Sequence, residues 1–339
     1  MNQPGFSDRS AAPDSARSPI RAARRRFVVA AALLALAPAC GNYSNEDLEF
    51  MSAIPQSADV ELEVPRRGLL VSATAAEGWR TTLEVTRTLN RTAGAFLSLI
   101  DRIRAHTPTR RLPDERIWGP VPADEHPGWQ LEFRMQRELD ADGVTTGFRY
   151  ALLMIPPAGV VLPGGGDSTQ IMGGTFDASG GVRVGAGRLV VTLDDGRAAG
   201  LEFRGLERLR QLTIDYSTRV WPRMVTMMVE NLPGGTDPVS ATYAYEQAEN
   251  GDGAMAFTFQ QDAVPSPVGT GPLTETLMVH SRWLGTGPGR VDTSLSGGDV
   301  PGVATAVECW GGDYRSSYKF QSWDPAAASG MESTCISRL

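Results

Sequence analysis

Between Trp129 and Trp323 apolar side chains recur at every second position in stretch after stretch, and this period commits the chain to β structure. Leu131, Phe133 and Met135 alternate with Glu132, Arg134 and Gln136, and Phe148, Tyr150, Leu152 and Met154 repeat the pattern beyond the turn-like Asp140–Gly143. Leu189, Val191 and Leu193 follow, then Leu212, Ile214 and Tyr216, then Val225, Met227 and Val229. Tyr243 and Tyr245 face Met255, Phe257 and Phe259 across Asn250-Gly251-Asp252-Gly253, a hairpin signal. Leu277 and Val279 precede a last group at 303–310 and 314–323. Short connections and alternation on one side only predict an antiparallel sheet with one wet face.

One segment departs from this period. Leu89, Ala93, Phe96, Leu97, Ile100 and Ile103 repeat at helical spacing, so 79–105 reads as a single long amphipathic helix ended by Pro108. The predicted fold is α+β and mainly β: a curved, half-barrel-like antiparallel sheet with this one long N-terminal helix packed on its concave face. Asn45–Met51 suits one or two helical turns that Pro55 would stop, and 59–65 alternates like a short strand. Residues 156–187, rich in Gly and Pro, read as a long loop or irregular hairpin, and Asp194-Asp195-Gly196 as a turn or one-turn helix. A lipid-facing barrel is disfavoured, since most strands carry Arg, Glu or Asp and aromatic girdles are missing.

The N-terminus dictates where such a domain goes. Six arginines lie in 1–26, followed by thirteen uncharged residues from Phe27 to Ala39 and then Cys40. A basic head, an apolar run and small residues before a cut describe a secretory signal. Thirteen helical residues reach about 20 Å, short of a hydrocarbon core of about 30 Å. Leu36-Ala37-Pro38-Ala39-Cys40 resembles the lipobox of bacterial lipoprotein precursors, although Leu sits one place early. That resemblance implies removal of 1–39, diacylglyceryl and palmitate-type acyl chains on Cys40, and a tether over 40–77 leading to one β-rich domain at 78–339. Gly41, in place of a retaining Asp, implies the periplasmic leaflet of the outer membrane. Arg24-Arg25 before Phe27-Val28 also resembles a twin-arginine export signal. The Cys40–Met51 opening and Glu308-Cys309-Trp310 are similar to envelope lipoproteins of GC-rich Gram-negative bacteria of the myxobacterial type, a likeness that carries no catalytic residues.

Composition narrows the partners. The chain carries −7, and residues 1–26 hold six Arg against Asp8 and Asp14, which leaves −11 from Cys40 onward. So acidic a body disfavours nucleic acid. With Cys40 given to lipid, Cys309 and Cys335 predict a disulfide in an oxidising compartment.

Catalytic and metal motifs are faint. His106, His126 and His280 lack Cys or carboxylate neighbours at ligand spacing, so no metal and no cofactor is expected. No Gly-x-Ser-x-Gly elbow occurs, Gly164–Ser168 lacks the Lys of a phosphate loop, and Asp292–Asp299 reads as a turn rather than a calcium loop. The carboxylate pairs Glu132/Glu138 and Asp194/Asp195 read as solvated charge, and Trp283, Trp310, Trp323, Tyr314 and Tyr318 as packing around the disulfide. The functional expectation is a lipid-anchored, non-enzymatic envelope protein that binds a hydrophobic ligand or an envelope partner. The alternatives are an envelope hydrolase assembled from dispersed residues, or a purely structural component.

Overall fold

Period-two sequence becomes a fifteen-stranded antiparallel sheet in the computed structural model, with every strand hydrogen-bonded to its neighbour in sequence and the sheet not closed into a barrel. The structure describes residues 43–65, 75–181, 184–204, 206–217, 221–231, 240–262, 268, 271 and 273–336. Cys40, and with it the expected leader over 1–39, lies outside them.

The strands run in chain order: β1 (Arg110–Leu112), β2 (Glu115–Pro122), β3 (Gln130–Leu139), β4 (Thr145–Ile155) and β5 (Thr169–Asp177). Then come β6 (Ala186–Thr192), β7 (Gln211–Ser217), β8 (Arg223–Glu230), β9 (Ser240–Gln247) and β10 (Gly253–Asp262). The last five are β11 (Thr274–Trp283), β12 (Gly289–Gly297), β13 (Val303–Trp310), β14 (Ser316–Gln321) and β15 (Ser329–Gly330). Among the described residues four α-helices accompany them: α1 (Asn45–Ser52), α2 (Ser57–Val60), α3 (Glu77–Arg104) and α4 (Asp194–Ala198). Asn45–Leu339 form one compact unit.

Helix α3 is the predicted long helix, shifted by one or two residues at its ends. At about 1.5 Å per residue its 28 residues extend roughly 42 Å. That is enough to cross the sheet from β13 to β2. At its start Ala76 N–H donates to the Tyr314 carbonyl, and beyond its end Trp118 Nε1 donates to the carbonyl of His106. Its buried stripe comprises Trp79, Leu83, Leu89, Ala93, Phe96, Leu97, Ile100 and Ile103. Thr82 and Thr86 interrupt the stripe with their hydroxyls satisfied. Both are fully buried, and each donates its hydroxyl back to the carbonyl four residues earlier. Thr82 Oγ1 also shares a 2.7 Å hydrogen bond with Ser281 Oγ on β11.

The helix start is capped from a distant strand. Ala76 offers no side-chain cap, and the Gly78 N–H donates instead to Glu308 Oε2 at 2.6 Å, with both groups buried. A carboxylate there satisfies a free amide and lies favourably at the positive end of the helix dipole. Gly78 is required because a Cβ would overlap Val291 of β12.

Several expectations are corrected. Residues 45–65, read as tether and entry, belong to the folded body: Phe50, Ile54, Val60, Leu62 and Val64 are core residues. Asp47, fully buried, accepts from Arg116 Nε at 2.8 Å and Arg111 Nε at 3.0 Å, and the Arg116 and Arg137 guanidinium groups both lie over the Phe50 ring. The stretch 61–65 is extended and alternates as foreseen, yet it joins no strand. Asn90 of α3 supplies both a donor and an acceptor to the Leu62 backbone, and the Tyr245 hydroxyl does the same for Glu63. Two side chains thus play the part of a neighbouring strand.

Within 156–187 the irregular-hairpin alternative holds, since a loop over 156–168 leads into β5, which pairs with β4 and β6; 292–297 belongs to β12, not a turn. Strands β1 and β2 had no counterpart in the sequence reading. Four strand glycines lie opposite aromatic rings. Gly174 pairs with Tyr150, Gly187 with Tyr216, Gly253 with Trp283 and Gly289 with Trp310, and each ring occupies the space a side chain on its glycine would need. Such ring-over-glycine pairs let a sheet curve without opening a void.

Candidate binding groove

The two faces of the sheet differ, and the outer face differs again along its length. The inner face carries the core, against which α3 packs. On β3–β7 the outer face is an ordinary solvated surface, with ion pairs between Arg149 and Glu138 at 2.8 Å and between Arg188 and Asp215 at 2.6 Å. Asp215 raises the pKa of Arg188, chiefly by hydrogen bonding.

From β8 onward the outward positions change character. Pairing register places Thr226, Ala244, Ala256, His280, Asp292, Val307 and Phe320 in one row across seven strands. An adjacent row holds Met224, Glu246, Ala254 and Arg282. Together they line a groove of about 840 Å³, whose lining also includes Tyr318 and Glu332. Three alanines keep the floor low, while Met224, Val307 and Phe320 add apolar walls. Met224 and Met228 expose 54% and 53% of their surface, which is unusual for large apolar residues on a sheet face.

One wall is built by the C-terminal tail. Cys309 on β13 and Cys335 lie with their sulfur atoms 2.04 Å apart, as a disulfide. Arg290 donates to both Asp292 oxygens at 2.8 Å, and its Nη2 lies 3.7 Å from Glu332 Oε1 in the tail. The hydrogen bond to Asp292 raises the Arg290 pKa, whereas desolvation lowers that of Arg282. The groove therefore combines an apolar floor with a compact polar group of His280, Arg282, Asp292 and Glu332.

A second depression, of about 650 Å³, lies between α3 and the extended segment after α2. Its charged lining, Arg80, Arg87 and Arg91 with Glu61 and Glu84, is mixed in sign.

The structure separates the three histidines. His126 stacks edge-on against Phe203 at 5.8 Å, and His280 lines the groove. Among the described residues, no group of three or more His, Cys, Asp or Glu is arranged to hold a metal ion. Glu132, expected to be solvated, is buried and paired with Arg134. Asp194 is bonded to Arg197 at 3.1 Å and Arg210 at 2.9 Å. Trp283, Trp310 and Tyr314 pack in the core as foreseen, whereas Tyr318 turns to the groove. Sequence reasoning missed the groove itself, because its residues come from seven strands and share a face only through register. No described helix is long and apolar enough to cross a membrane. No family model, curated protein or solved structure matches the chain.

Proposed function

We propose that the protein is an envelope lipoprotein, anchored through acyl chains on Cys40, that binds an elongated amphipathic ligand in the outer groove of β8–β14. The observation that carries the binding reading is the change in the outer face, from ion pairs on β3–β7 to alanine and methionine on β8–β11. Solvent alone gives no reason for that change. A volume of about 840 Å³ falls in the range of small-molecule sites, commonly about 300–1,000 Å³. Methionine side chains adapt to guests of varied shape. The ligand's apolar body would lie along Ala244, Ala254 and Ala256, with its polar end at His280, Arg282 and Asp292. Both Asp292 oxygens already accept from Arg290, an arrangement that suits fixed recognition better than proton transfer.

The periplasmic leaflet of the outer membrane remains the proposed location, resting on the lipobox resemblance and Gly41. The binding test is uptake of a fluorescent long-chain fatty acid by wild type and by Ala256→Phe, which raises the groove floor. Wild type should take up the probe and the variant should not, with circular dichroism unchanged. Equal uptake, or none by either protein, would count against the groove. Intact mass and fractionation of wild type and Cys40→Ser test the anchor separately.

A further inference from the structure

The end of the sheet that carries α1 has a second, unrelated peculiarity. Leu48 on α1 is 52% exposed, Leu112 at the β1–β2 turn 47%, and Leu139 and Val144 flanking the β3–β4 turn 43% and 60%. These four belong to one corner. Glu49, next to Leu48, is bonded to Arg137 at 3.0 Å and to Thr145 at 3.2 Å, and the Arg137 N–H donates to the carbonyl of Asp114 beside Leu112. Two of the ionic groups among them are neutralised in place, Glu46 by Arg116 and Glu49 by Arg137, while Asp114, Asp140 and Asp142 lie exposed at the turns. Asp140 accepts from the backbone N–H of Asp142 and of Val144.

The chain fixes what can lie against this corner. Asn45, the first residue of α1, lies five positions after Cys40, and five extended steps span at most about 18 Å. Helix α1 is no loose tether, since buried Asp47 and Phe50 clamp it to β1–β3. A lipid anchor on Cys40 would therefore hold this corner against the head groups.

We infer that this corner is a bilayer-docking surface, in which Leu48, Leu112, Leu139 and Val144 enter the interface of the phospholipid leaflet that holds the Cys40 acyl chains. The inference rests on the lipoprotein reading. It adds a defined orientation, with the β3–β4 turn down and the β12–β13 turn away from the membrane. Shallow insertion of exposed apolar side chains beside a covalent anchor supplies a further hydrophobic contact of the kind that steadies peripheral proteins.

The test uses the full chain expressed in a Gram-negative host, purified from membranes and reconstituted in phosphatidylethanolamine–phosphatidylglycerol vesicles with or without brominated acyl chains. Val144→Trp and Leu48→Trp report the docking corner, and Val303→Trp, exposed at the opposite end, is the control. Emission beyond that of the seven native tryptophans is read by difference from wild type. Docking predicts that brominated lipid removes most of the added emission at 144 and 48 and little at 303. Equal quenching at all three positions, or none at 144 and 48, in protein whose mass shows an acylated Cys40 overturns the docking surface and leaves the anchor standing. An unmodified Cys40 overturns both.

Discussion

Helix α3 begins without a local cap, so its stability at that end should depend on one carboxylate 230 residues away. Glu308→Ala removes the acceptor for the buried Gly78 N–H. Stranding a buried donor costs about 1–3 kcal/mol, and losing a helix cap costs about 0.5–2 kcal/mol. These describe the same loss and do not add, so about 2 kcal/mol is expected. Glu308→Gln keeps an acceptor oxygen and removes the charge. It should forfeit only the interaction with the helix dipole, about 1 kcal/mol in a partly buried setting. Lys319→Met serves as a control, because its 3.2 Å pair with Glu77 is exposed and should contribute about 0–1 kcal/mol. The assay is equilibrium urea unfolding of the disulfide-intact protein, with the denaturant dependence checked for constancy so that midpoint shifts report stability. In thermal melts the alanine variant should fall by about 4–8 °C, at a few degrees per kcal/mol. Glu308→Ala and Glu308→Gln losing equal stability, or both losing less than about 0.5 kcal/mol, would refute the view that this carboxylate is the helix's cap.

Three further outcomes follow from the geometry. Burial raises the Tyr243 and Tyr245 pKa values from 10.0 to about 12. The folded state then holds these protons more tightly than the unfolded chain, so the stability they contribute is complete below pH 10 and is lost as pH rises from 10 to 12. Each contributes at most about 2–3 kcal/mol at about 1.36 kcal/mol per pKa unit, and urea midpoints across that range should fall less steeply in Tyr243→Phe. Replacing Cys309 and Cys335 by Ser should cost about 3–4 kcal/mol for a crosslink spanning 26 residues, and should weaken fatty-acid uptake more than Glu308→Ala does, because only the former frees the groove wall. Arg116→Ala strips one of the two arginines from fully buried Asp47 and should cost about 3–5 kcal/mol by urea unfolding; a loss under about 1 kcal/mol would show that Arg111 alone suffices.

How much of this was legible before the structure depends on the distance over which each signal acts. The two periods, 2 and 3.6, are local, and they gave the antiparallel sheet, the long helix and most of its buried stripe. The cysteine pair was legible because only two candidates remained. The clamp on α1 was not, since Glu46, Asp47 and Glu49 look like ordinary helix-start acids until Arg111, Arg116 and Arg137 arrive from strands more than 60 residues later. The groove was hidden for the same reason. Ala244, Ala256, His280 and Asp292 look like unrelated polar-face residues, and only register puts them side by side.

Strand β5, which holds Gly173-Gly174, was hard to read for a sharper reason. Glycine disfavours an isolated strand, but the cost changes when the residue across the register is a large ring that needs the room. Tyr150 opposite Gly174, Tyr216 opposite Gly187, Trp283 opposite Gly253 and Trp310 opposite Gly289 repeat one solution four times in this sheet. In each pair the ring fills the missing side chain's place and the glycine lets the strands approach. A glycine lying one strand away from an alternating aromatic therefore argues for pairing before it argues for a loop. Where both partners recur through a meander, as here, the glycines mark the curvature of the sheet more than its interruptions.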